Sequence, residues 1–121
     1  MDDATLEELF ASLDAVSIRR MFGGKGIYSD GRIIAVVLDG ELFLKTDAET
    51  AARFEDAGSR RWTYAREGRS PVAMPYHALP DEALDDPDVM AEWARLAVEA
   101  SIRAASAKSG ARRHKGVMPA T

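Results

Sequence analysis

Two histidines, a glycine-rich segment with one lysine, a strand dense in arginine and aromatic residues, and a run of carboxylates are where this chain could do chemistry. Cysteine is absent, which removes thiolate nucleophiles, disulfides and cysteine-based zinc or iron–sulfur centres. His77 and His114 lie far apart, and no serine or carboxylate is spaced around either in a recognisable triad motif. The run Asp81, Glu82, Asp85, Asp86, Asp88 lacks the alternating register of a calcium loop. Carboxylates there are accounted for by helix capping and by the positive end of the helix dipole. No catalytic residue, metal ligand or cofactor is therefore expected, and the chain reads as non-enzymatic.

Two segments have a composition suited to binding. Gly23, Gly24, Lys25 and Gly26 would expose backbone N–H groups to an anion or partner, with Lys25 adding charge. A strand follows them rather than a helix, unlike a Walker loop or a dinucleotide fingerprint. The plainer reading is a wide turn or bulge between two strands. Arg60, Arg61, Arg66 and Arg69 surround Trp62 and Tyr64, a composition found on nucleic-acid stacking surfaces. The same pattern describes an edge strand with arginines outward and aromatics inward. Arg112, Arg113, His114 and Lys115 offer further phosphate contacts.

The elements that must position these residues are legible. Leu6, Leu9, Phe10 and Leu13 recur at helical spacing over residues 3–14. Strands follow at 17–22, 27–29, 32–38 and 41–46, with Asp30-Gly31 and Asp39-Gly40 at the spacing of two-residue hairpins. Taken as an unbroken ladder, the meander places Tyr28, Ile33, Ala35, Val37, Leu42 and Leu44 on a core face. Ile27, Ile34, Val36, Leu38 and Phe43 then share a second face, too apolar to be simply solvated, and so a candidate interface. A short helix at 48–56 with Asp47 as N-cap and a strand at 60–65 come next. Residues 72–77 form an edge strand or ordered loop, because Pro71 and Pro75 cannot donate to a ladder. Asp86-Pro87 opens the longest helix, whose stripe of Val89 or Met90, Trp93, Leu96, Ala97, Ala100 and Ala104 should cross the sheet. Residues 1–107 thus make one α+β domain, an antiparallel sheet packed against an N-terminal and a long C-terminal helix. Residues 108–121 read as a basic, disordered tail.

The bulk composition agrees: 46% hydrophobic, 30% charged and a net charge of −4 describe a soluble globular chain. The acidic N-terminus lacks the basic start of a signal peptide. No run of 18 apolar residues exists to span a membrane, so a cytoplasmic location is expected.

The run Arg19-Arg20-Met21-Phe22-Gly23-Gly24-Lys25-Gly26-Ile27-Tyr28-Ser29-Asp30-Gly31 resembles the signature of the TfoX (Sxy) N-terminal domain family. Supporting matches are Leu42 to Thr46, Met74-Pro75-Tyr76, Leu79-Pro80, and Leu84 through Asp88 to Trp93-Ala94. The likeness covers about residues 5–105. It implies a compact α+β fold and a regulator of natural competence acting as a transcriptional co-activator beside the cyclic AMP receptor protein. Such regulators usually carry a second, helical domain, for which this chain leaves no room. The family supplies no catalytic residues. The resemblance and the second sheet face together imply a regulatory module that binds a protein partner or a second copy of itself. Direct nucleic-acid binding is the alternative, and an anion or nucleotide at the glycine segment a third.

Overall fold

Asp30-Gly31 and Asp39-Gly40 organise the middle of the molecule. Each pair has positive φ at both residues, 50° and 78° in the first, 50° and 76° in the second, the geometry of a type I′ turn. The computed structural model describes residues 1–21 and 23–117, with side chains as far as Lys108. Strands β1 (Val16–Met21), β2 (Gly24–Ser29), β3 (Arg32–Leu38) and β4 (Glu41–Lys45) form the meander. After helix α2 (Ala51–Asp56) come β5 (Arg61–Arg66) and β6 (Arg69–Ala78). The sheet is antiparallel, in the order β1-β2-β3-β4-β6-β5. Helix α1 (Asp3–Leu9) precedes it, and α3 (Pro87–Val117) follows a 3-10 turn at Asp81–Leu84.

Local signals set the helix ends. Asp2 accepts from the Thr5 amide at 2.9 Å and starts α1. The helix stops at Leu9, short of the expected residue 14, while Leu6 and Phe10 are fully buried beneath it. Asp86 accepts from the Asp88 and Val89 amides and caps α3, with Pro87 at its first position. The core-facing stripe of α3 contains Met90, Leu96, Ala97 and Ala100, joined by Ala94. It lies across β3 and β4. Full burial of a side chain such as Phe54, Met90 or Leu96 contributes about 1.5–3 kcal/mol. The backbone of α3 is helical to Val117, into the segment expected as a tail. Residues 118–121 and the side chains of Arg112, Arg113, His114 and Lys115 lie outside the described residues.

Three expectations about the sheet change. First, β6 is an interior strand between β4 and β5, not an edge strand or loop. Only Tyr76, His77 and Ala78 pair with β4, so Pro71 lies beyond that ladder and Pro75 gives only its carbonyl, to the Thr46 amide. On the β5 side the register shifts between Arg61 and Thr63 and between Tyr64 and Arg66, where Pro75 and Pro71 interrupt the pairing. Second, Gly24, Lys25 and Gly26 are strand residues, paired with Met21, Arg20 and Arg19 of β1. Third, the β2–β3 ladder contains a bulge: Tyr28 pairs with Ile33, but Ile27 pairs with Ala35. Ile34 is the extra residue, and a one-residue slip exchanges faces. Ile27 and Ile34 therefore join the helix-covered core and are fully buried, so neither can belong to an exposed interface. Tyr28 and Ile33 move to the opposite face, while Val36, Leu38 and Phe43 occupy it as expected.

Candidate functional site

The bulge assembles a second sheet face whose apolar cluster, among the described residues, contains no helix residue. Its centre is Val36, Phe43, Tyr76 and Ala78, closed over by Ile33, Leu38, Trp62 and Met74. Trp62 packs on Phe43 and on Tyr76, with ring centroids 6.4 and 6.1 Å apart. The β5–β6 hairpin thus brings its own aromatic residue over the second face. Val36 and Phe43 are only 5% and 4% exposed; the surface that a partner would meet is their rim.

That rim is cationic and aromatic. The Arg19 guanidinium lies 4.8 Å from the Tyr28 ring centre, the Lys45 ammonium 5.2 Å from Tyr76, and the Arg60 guanidinium 5.4 Å from Phe43. Such contacts contribute about 0.5–1 kcal/mol at exposed sites. Arg60 also pairs with Glu41. Burial pushes the Tyr76 phenol up, with a smaller contribution from Tyr28. The face offers a partner the half-buried side chains of Ile33, Leu38, Trp62 and Met74, bordered by positive charge.

The glycine segment has a structural explanation in each residue. Gly23 adopts φ +78° in the β1–β2 turn, beside Phe22, which lies outside the described residues. A Cβ at Gly24 would stand 2.1 Å from the Val37 carbonyl oxygen, and one at Gly26 2.7 Å from Met21 Sδ. The glycines allow close packing of β2 against its neighbours. A cleft of about 600 Å³ adjoins them, lined also by Arg20, Val37 and Asp39. Lys25 Nζ is already engaged there, 2.6 Å from Asp3 Oδ1 and 3.0 Å from the Met1 carbonyl.

The arginine strand forms one side of a hairpin whose distal part, from Thr63 to Ala73, is exposed. Arg61 Nε donates to the Met74 carbonyl at 2.9 Å and Arg66 to that of Ser70 at 3.2 Å. Arg66 and Arg69 are cross-strand partners. The two aromatics part company: Trp62 is half-buried on the open face, whereas Tyr64 is 53% exposed.

Sequence spacing gave no sign of one polar network. The buried Thr46 hydroxyl shares a hydrogen bond with His77 Nδ1 at 2.8 Å, and His77 Nε2–H donates to Glu55 Oε2, which can only accept, at 3.1 Å. The order hydroxyl, imidazole, carboxylate imitates a hydrolytic triad. However, Thr46 is 2% exposed and His77 fully buried, and Phe54 packs on the imidazole, so substrate has no path to the hydroxyl. The network joins β4, β6 and α2. The acidic run takes part through Asp86 as a cap. Among the described residues no group of three or more histidines and carboxylates is placed to hold a metal, and no helix is long and apolar enough to cross a membrane.

The family model described as the TfoX N-terminal domain matches residues 8–101. DNA transformation protein TfoX1 of Aliivibrio fischeri is 34% identical over 65 residues, covering 50% of this chain and 31% of that relative. The match therefore spans less than a third of TfoX1.

Proposed function

We propose, from the premise that this chain belongs to the TfoX N-terminal domain family, that it is a non-enzymatic regulatory module of the competence type. It works by binding a protein partner on the open face of its sheet, and its finer role is in transcriptional control of DNA uptake. The likeness to a DNA transformation protein supports the pathway. The observation that carries the mode of action is the open face's accessible rim, half-buried Ile33, Leu38, Trp62 and Met74 beside Arg19, Lys45 and Arg60. A face-to-face homodimer would set much of this positive rim against itself, and like charges in a desolvated contact oppose association. An acidic-rimmed partner protein is the better complement.

Deletion of the gene in the source organism, followed by measurement of transformation frequency, tests the reading. Wild-type protein restores transformation, whereas Arg19→Glu, at an exposed position, does not although it folds. Unchanged transformation in the deletion strain would remove the competence role. Restoration by Arg19→Glu would remove the proposed face.

A second reading rests on the exposed β5–β6 hairpin. Arg66 and Arg69 pair across its end, and Tyr64 presents a free ring, an arrangement suited to nucleic acid. Binding through it must weaken steeply with salt, because phosphate neutralisation releases counterions. Gel-shift titrations that show no complex at low salt would eliminate it.

A further inference from the structure

Three cations converge where α3 meets the edge of the open face, and one of them, Lys45, also belongs to its rim. Arg32 at the start of β3, Lys45 at the end of β4 and Lys108 on α3 line one cavity of about 190 Å³, completed by Ile33, Ser101 and two alanines of α3. Among the described residues no carboxylate lines it, and none of the three cations has an ion-pair partner. The part of α3 beyond Glu99 cannot supply one, because the sequence contains no Asp or Glu after that residue. Asp47, the one carboxylate acting on Lys45, is gripped at two points by Arg103. Arg32 Nε is buried and lacks a hydrogen-bond partner, a state that native proteins rarely leave unanswered. Burial first, and then the Lys108 ammonium, push the Lys45 ammonium down, with Asp47 partly offsetting them. In a chain of net charge −4, this is a local concentration of uncompensated positive charge.

We propose that this cavity binds a dianionic phosphate group, either inorganic phosphate or the phosphate of a small monoester. Two negative charges answer three cations better than the single charge of a carboxylate or a phosphodiester does. Tetrahedral oxygens can accept from the Arg32 guanidinium and from the ammonium groups of Lys45 and Lys108. Ser101 donates to the Val98 carbonyl at 2.7 Å, so the cations, not the hydroxyl, carry recognition. The site adjoins the partner face through Lys45 and Ile33, but phosphate binding there requires neither a partner protein nor the family's role.

Thermal unfolding of the full chain, with inorganic phosphate titrated against sodium chloride of equal ionic strength, tests this. Separate arms contain adenosine monophosphate and a single-stranded oligonucleotide lacking terminal phosphates. Phosphate raises the midpoint progressively beyond chloride, as mass action requires, and shifts the Arg32 Nε–H resonance. Equal or stronger stabilisation by the monophosphate identifies a monoester site; stabilisation by phosphate alone identifies the inorganic ion. Lys108→Gln folds normally and binds about tenfold more weakly, as does Arg32→Gln, each having lost one charge-assisted hydrogen bond. A response no greater than that to chloride overturns the proposal. So does a phosphate response that both variants retain, or stabilisation by the oligonucleotide alone.

Discussion

At Asp47 one carboxylate accepts from the Glu49 and Thr50 amides and from two nitrogens of Arg103, the closest at 2.6 Å. It ties the β4–α2 connection to α3. The Arg103 hydrogen bond, its charge and the two amides hold the carboxyl below its ordinary 3.8, against a smaller opposing effect of burial. Because the folded-state value is depressed, the stabilisation is complete above the unfolded value and is lost as pH falls through the folded one. Urea midpoints measured from about pH 5 down to about pH 2 should therefore fall, and Asp47→Asn should be less stable at pH 7 with a flatter acid limb. Thr46→Val tests the buried network. It removes the hydroxyl that hydrogen-bonds His77 Nδ1 with little change in shape, and urea denaturation should report a loss of about 1–3 kcal/mol.

The glycines of β2 separate two causes that sequence alone merges. Gly24 faces a backbone carbonyl, which cannot move aside as a side chain can. Gly24→Ala should destabilise by about 3 kcal/mol, at the upper end of overpacking costs. Gly23 has open space around its missing Cβ and only its positive φ to protect. Gly23→Ala should cost about 1–2 kcal/mol. Equal losses in equilibrium unfolding would mean that strand approach is not what Gly24 provides. The β2–β3 bulge acts at the same scale. One added residue, Ile34, transfers Ile27 into the core and Tyr28 to the open face.

Across the whole molecule, stability is unevenly distributed. Helices α1 and α3 and strands β3 and β4 share the main core, while the distal β5–β6 hairpin has solvent on both sides. Hydrogen exchange should show this: amides from Thr63 to Val72 open locally, well before those from Ala35 to Val37, which require global unfolding. Uniform protection would contradict the division. The division also separates the candidate surfaces, with the open face on the stable body and the paired arginines on the exposed hairpin.

Much of the fold followed from short-range chemistry. The Asp-Gly pairs impose positive φ, Asp86-Pro87 starts a helix, and the spacing of apolar residues on α3 marks a buried stripe. Each signal lies within a few residues of the structure it specifies. The family likeness was legible for the same reason, since the run from Arg19 to Gly31 is contiguous. Only tertiary structure decided the rest. Nothing local to Ile34 marks it as a bulge, so the faces of Ile27 and Tyr28 depended on pairing across strands. His77 met Thr46 and Glu55 across 31 and 22 residues. Arg32, Lys45 and Lys108 came together only when α3 crossed the sheet. Sites built from separate elements have no spacing to read, because the distance that matters is set by packing and not by the chain between them.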